Sequence, residues 1–162
     1  MTQEVIDLDT SLGYLLKEAS SALRVAMEAV LRPLGMTVTH YSCLELLAQR
    51  PGMSNSELAR GAFVTRQSMN VLLQALERDG LVARPEKPAA GRVLPTELTA
   101  AGRRQLAAAS AAVREVESRM TAGLSAADRT TFRTLLRHSI TSLSQTSLTP
   151  TPLQSCTYTI YS

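Results

Sequence analysis

Residues 54–84 read SNSELARGAFVTRQSMNVLLQALERDGLVAR, and the fold turns on this stretch. It opens on Ser54-Asn55-Ser56-Glu57, a capping box in which the Ser hydroxyl and the Glu carboxylate satisfy each other's backbone N–H groups. The short helix so opened runs from Glu57 to about Gly61 and buries Leu58 and Ala59. Phe63-Val64 lead to Thr65, a second cap candidate. Over residues 66–79, Met69, Leu72, Leu73 and Leu76 recur at helical spacing on one face, and Gly80 ends the helix as its C′ residue. Leu81–Arg84 is compatible with a β-strand, as is Val93–Leu98. Between them Pro85-Glu86-Lys87-Pro88-Ala89-Ala90-Gly91-Arg92 reads as a hairpin tip, where prolines are tolerated.

Upstream, Leu12, Leu15, Leu16, Ala19, Leu23, Met27, Val30 and Leu31 recur at three- and four-residue steps, which predicts a long helix burying one stripe and stopped by Pro33 and Gly35. A shorter helix follows, capped by Thr37 or Thr39, with Tyr41, Leu44, Leu47 and Ala48. Arg50-Pro51-Gly52 is a turn signal. Downstream, Thr99 caps an Ala-rich helix to about Thr121 that carries Leu106, Val113, Val116 and Met120. Ser125 opens a last helix with Phe132, Leu135, Leu136, Ile140 and Leu143. Residues 144–162, uncharged and rich in hydroxyls, read as a poorly ordered tail.

The chain of 162 residues is 44% hydrophobic and 19% charged, which fits one folded domain and excludes a disordered chain. With aromatics at 4% and no Trp, the core must come from Leu, Ala, Val and Met, a mixture that favours helix. The net charge of +3 is unevenly placed: −2 over residues 1–53, +3 over 54–104, +2 over 105–143 and none beyond. Cys43 and Cys156 form neither a disulfide framework nor a metal-ligand set. No apolar run approaches the ~18 residues of a membrane span, and the N-terminus lacks a signal pattern, so the sequence predicts a cytoplasmic protein without membrane attachment.

Short helix, tight connection, helix, then a β-hairpin with a basic tip is the plan of a winged helix-turn-helix. The expected fold is therefore mainly α with a small β-wing, the winged lobe spanning about 37–98. A helix of about 10–12 Å diameter fits the roughly 12 Å major groove of DNA. Opposite its apolar face, the 66–79 helix carries Arg66, Gln67, Asn70 and Gln74. Arg bonds guanine bidentately, and Asn or Gln does the same to adenine. Thr65 and Ser68 at its N-terminus suit a phosphate, and Lys87 and Arg92 at the hairpin tip suit the backbone or a minor groove. Ser54 and Arg84 complete the candidate set. Each of these side chains alone is equally at home on a solvated face; their ordered arrangement carries the reading.

From about 12 to 143 the chain resembles a MarR-type transcriptional regulator. The matching pieces are Met36-Thr37 through Tyr41 and Leu44, then Ser54–Ala59, Val64–Asn70, and above all Leu76-Glu77-Arg78-Asp79-Gly80-Leu81-Val82-Ala83-Arg84. The match continues through Gly91–Pro95 and Leu98–Gly102. The resemblance implies one domain over residues 1–143, with helices at about 8–34 and 99–143 interlocking in a homodimer. It further implies a cytoplasmic repressor that binds a pseudo-palindromic double-stranded operator and is released by a small aromatic or anionic effector. Half-sites would lie one helical turn apart, roughly 34–36 Å. One departure concerns the wing. The family often places Asp two residues before the Arg matching Arg92, and Ala90 stands there, leaving Arg92 to Glu86 or to DNA.

Sensing is less legible. Tyr14, His40 and Tyr41 are candidates to line an effector pocket, with Arg24 and Arg32 as counter-charges. Cys43 offers a thiol-based redox alternative, although in a helix beside Leu44 it reads more simply as a small buried apolar residue. His40 and His138 are far apart, acids do not cluster with them, and no Gly-rich phosphate loop occurs, so neither an enzyme nor a cofactor is expected. The competing reading from another class is a helical dimeric interaction module without DNA binding.

Overall fold

In the computed structural model, residues 6–84 and 96–146 are described, in two compact units that meet between Met120 and Thr121. The first unit holds α1 (Leu12–Leu31), a 3₁₀ turn (Arg32–Leu34), α2 (Val38–Gln49), α3 (Asn55–Gly61), α4 (Arg66–Arg78), strands β1 (Val82–Ala83) and β2 (Glu97–Leu98), and α5 (Ala100–Met120). The second carries α6 (Ala126–Thr146). The fold is thus mainly helical with a two-stranded antiparallel sheet, Val82 facing Leu98 and Ala83 facing Glu97.

Each helix starts where a side chain supplies the missing acceptor. Ser11 accepts from the Tyr14 N–H at 3.3 Å, Thr65 from Ser68 at 3.0 Å, and Thr99 from Gly102 at 3.0 Å. Of the two threonines that could open α2, Thr37 does so. Its hydroxyl accepts from the His40 N–H at 3.2 Å, and His40 Nδ1 accepts the Thr37 N–H at 3.2 Å. Three helical segments end alike. After the 3₁₀ turn, after α3 and after α4, a left-handed residue turns the chain so that the next N–H bonds back into the last turn. The left-handed residues are Gly35 (φ 68°), Phe63 (φ 57°) and Gly80 (φ 70°).

The core lies between α2, α4 and α5. Leu31, Cys43, Leu44, Leu58, Met69, Leu73 and Leu76 are almost fully enclosed, each large aliphatic side chain contributing about 1.5–3 kcal/mol of burial. The expected α4 stripe is buried in full. The expected α1 stripe is not. Leu31 is enclosed and Leu23, Met27 and Val30 half-buried, whereas Leu12, Leu15 and Leu16 are exposed by 82%, 41% and 47%. On α6, Phe132, Leu135, Ile140 and Leu143 are likewise exposed. Helical spacing announces an apolar face but not which surface covers it, and one chain supplies none here.

One glycine is dictated by packing. A Cβ on Gly102 would stand 2.0 Å from the Leu81 carbonyl oxygen. Leu81 O accepts the Thr99 N–H at 3.0 Å, and Gly80 O accepts the Thr99 hydroxyl at 2.6 Å. The first turn of α5 is thereby docked where α4 passes into the wing.

Candidate nucleic-acid interface

The helix-turn-helix is built from α3 and α4. Glu57 closes the box at the start of α3, its Oε2 accepting the Ser54 N–H at 2.7 Å while Ser54 Oγ accepts the Glu57 N–H at 3.3 Å. The Ser54 backbone N–H, then its hydroxyl, hold the Glu57 carboxyl below the usual carboxylate range. At the start of α4 the Thr65 hydroxyl takes the Ser68 N–H and donates to Ser68 Oγ at 2.8 Å. That leaves the Ser68 proton to turn outward at the positive end of the helix.

Arg66, Gln67, Asn70 and Gln74 are exposed on α4, away from buried Met69, Leu72, Leu73 and Leu76. At 3.6 residues per turn, Gln67 and Gln74 fall along one line at the centre of that face, with Arg66 and Asn70 to one side. Among the described residues, no hydrogen bond or ion pair engages Arg66, Gln67, Gln74 or Arg84. Asn70 is different: its Oδ1 accepts from Asn55 Nδ2, a link between α3 and α4 that leaves its own N–H groups free of that bond. Val71, 63% exposed on the same face, belongs to this surface, although it is not among the polar residues that the sequence offers as DNA contacts. Its position four after Gln67 was the available signal.

The model of the MarR family matches residues 34–93. HTH-type transcriptional repressor Rv2887 of Mycobacterium tuberculosis is 45% identical over 128 residues, covering 79% of this chain and 92% of that protein. The chain belongs to the MarR family. Solved MarR-type structures agree with its fold. Rv2887 in complex with salicylic acid covers 80% of this chain and 96% of its own at 45% identity and a TM-score of 0.69, and Rv2887 has also been solved with DNA. The repressor CouR bound to a 23-mer DNA duplex covers 86% and 99% at 29% identity and a TM-score of 0.74. CouR has a second structure with p-coumaroyl-CoA.

In this MarR-family chain Ser54, Thr65, Arg66, Gln67, Ser68, Asn70 and Gln74 gather on the exposed side of α3 and α4, and Arg84 is exposed just after β1. Lys87 and Arg92, with the rest of the hairpin tip, lie outside the described residues.

The three candidate effector residues are not gathered. Tyr14 is exposed near the start of α1. His40, held in the cap of α2, borders a hollow of about 120 Å³ with Gly35, Met36, Leu76, Asp79, Leu81 and Gln105. Tyr41 borders another, of about 220 Å³, with Ser42, Glu45, Leu46, Gln49, Arg50 and Gly61. Burial raises the Tyr41 pKa above its ordinary value despite a hydrogen bond with Ser110, and Ser110 in turn donates to Glu45 Oε2 at 3.0 Å. The redox alternative for Cys43 is overturned: the thiol is fully enclosed, lies 3.7 Å from Met69 Sδ, and burial pushes its pKa up to about 12. A peroxide sensor needs the opposite, an accessible thiolate. Among the described residues no helix is long and apolar enough to cross a membrane.

Proposed function

We propose that the chain is a homodimeric repressor, without catalytic activity, acting on DNA in the cytoplasm. It binds a pseudo-palindromic operator by placing α4 of each copy in successive major grooves, with the wing against the flanking backbone. The observation that carries this reading is the exposed face of α4, where Arg66, Gln67 and Gln74 have no partner among the described residues and Asn70 is oriented by Asn55. Arg66 reads guanine, the amides read adenine, and Val71 meets a thymine methyl. Thr65, Ser68, Ser54 and Arg84 hold phosphates, and Lys87 and Arg92 are the further candidates for the DNA backbone or a minor groove. The exposed leucines of α1 and the apolar face of α6 form the dimer contact, so the regulator is one functional domain over residues 1–143.

The likeness to repressors solved with DNA supports this reading. The same relatives, solved with salicylic acid and with p-coumaroyl-CoA, support release by a small aromatic acid, for which His40, Tyr41 and Tyr14 are the candidate contacts. Footprinting on the DNA upstream of its own gene tests the proposal. Two protected half-sites about one helical turn apart are expected. Absence of any preferred sequence would leave the non-binding interaction module as the better reading. A thermal-shift screen with phenolic acids tests the effector, and no shift with any of them would remove it.

A further inference from the structure

Phe63 stands where the backbone asks for glycine. Gly61 is the last residue of α3; Phe63 N–H donates to Arg60 O at 3.2 Å and Val64 N–H to Ala59 O at 2.9 Å. That two-bond closure recurs after α4, where Gly80 N–H donates to Glu77 O at 3.1 Å and Leu81 N–H to Leu76 O at 2.9 Å. The left-handed position is glycine at Gly80 (φ 70°) but phenylalanine at Phe63 (φ 57°). A Cβ there is strained, and the largest compensation an aromatic side chain can offer is burial of its ring. This ring buries almost nothing, being 95% exposed, the most exposed large apolar side chain described.

The position of the ring indicates what covers it. Phe63 lies in the connection between α3 and α4, two residues before the Thr65 cap and three from each of the exposed Arg60 and Arg66. Two residues of chain span at most about 7 Å, so a recognition helix entering the groove by its N-terminus carries the ring to the groove edge. Exposed arginines three positions to either side suit a polyphosphate and disfavour an apolar protein patch. We propose that Phe63 is a DNA-contacting residue whose ring packs on the apolar edge of the operator, deoxyribose or thymine methyl, beside the Arg66 position. The inference rests on the reading of α4 as the DNA-binding helix.

Anisotropy titrations and melting curves on the full chain, with a duplex from the footprinted upstream region, test it. Phe63→Gly removes the strain and the ring together. It is expected to melt a few degrees higher, the sign for glycine at a left-handed position, and to bind on the order of tenfold more weakly. Phe63→Leu should recover part of the affinity without the gain in melting temperature, and neither variant should change the salt slope, because no charge is altered. Duplexes with deoxyuridine for thymine separate the two sources of the contact: a loss larger in the wild type than in Phe63→Gly assigns the methyl to Phe63, and an equal loss in both assigns the sugar. Wild-type affinity in Phe63→Gly, with Arg66→Ala impaired, would overturn the role of Phe63 alone and direct the ring to a protein partner. Failure of the wild type to bind any upstream duplex would remove the reading of α4 and this inference with it.

Discussion

Gly102→Ala adds one carbon at the joint between α5 and the winged lobe. Its Cβ would meet the Leu81 carbonyl oxygen at 2.0 Å and the carbonyl carbon at 3.0 Å, where a carbon and an oxygen normally stand about 3.3–3.6 Å apart. No side chain is available to swing aside, since the obstacle is backbone. Relief requires α5 and Leu81 to separate by more than an ångström, which lengthens the Thr99 N–H bond to Leu81 O and the Thr99 hydroxyl bond to Gly80 O. Overpacking of this kind costs about 1–3 kcal/mol, and weakening two hydrogen bonds about 1–2 kcal/mol more. Alanine returns about 1 kcal/mol of helix propensity. The net expectation is a loss of roughly 1–4 kcal/mol, or about 2–16 °C in melting temperature for a chain of this size. Thermal melts at one fixed protein concentration measure it, because an associating chain melts at a concentration-dependent temperature. Gly123→Ala, with nothing within 4 Å of the added Cβ, is the control. An unchanged or raised melting temperature for Gly102→Ala would refute the docking of α5 on the start of the wing.

Arg66→Ala is expected to weaken specific operator binding by roughly 1–3 kcal/mol and relax preference at one base pair, whereas Lys87→Ala should weaken all sequences alike and lower the salt slope by about 1; equal losses on random DNA would deny Arg66 a base-reading role. In a Cys156→Ser background, Cys43 should resist a thiol reagent until the protein is unfolded, and operator binding should survive peroxide; native labelling at the rate of a free thiol would contradict its burial. The carboxyls of Glu57 and Asp128 are held below their ordinary range by Ser54 and Ser125. Their stabilisation is therefore full above the unfolded carboxyl pKa of about 4 and lost as pH falls through the folded values. Glu57→Gln, which keeps the bond to the Ser54 N–H, should flatten melting temperature against pH below about 5, and an unchanged profile would place the acid sensitivity elsewhere.

What could be read from the sequence is what neighbouring residues determine among themselves. Ser54 and Glu57 cap α3 within four positions, Met69, Leu72, Leu73 and Leu76 lie on one face of α4 by spacing alone, and Gly80 ends that helix by its own backbone freedom. Where a residue's meaning depends on something distant, the reading failed. Gly102 looks like an ordinary helix glycine until Leu81, far back in the chain, is seen against it. At His40 residue type and not distance hides the role: its ring does at Thr37 what glutamate does at Ser54, and the usual Glu or Gln signature of a capping box does not include histidine. Nothing beside Phe63 announces its left-handed, exposed position, because the turn it occupies is defined by hydrogen bonds back into α3. Among the site residues, the polar face of α4 was legible and Val71 was not, since an apolar residue on a recognition surface has the same composition signal as one in the core.

The exposed leucines of α1 and the exposed polar face of α4 belong to one physical problem. A net charge of +3 across residues 54–104 neutralises few phosphates, and each contact contributes through counterion release that physiological salt weakens. A single lobe with few phosphate contacts therefore binds DNA weakly at physiological salt. Joining two lobes makes the second engagement intramolecular, at an effective concentration far above that of free protein, provided that their spacing matches the helical repeat. On the proposed reading, a surface that joins two copies raises operator affinity without touching a base. An effector can then release DNA without touching α4: it needs only to bind more tightly to a dimer whose lobes are wrongly spaced, and the release it achieves is limited by that difference in affinity.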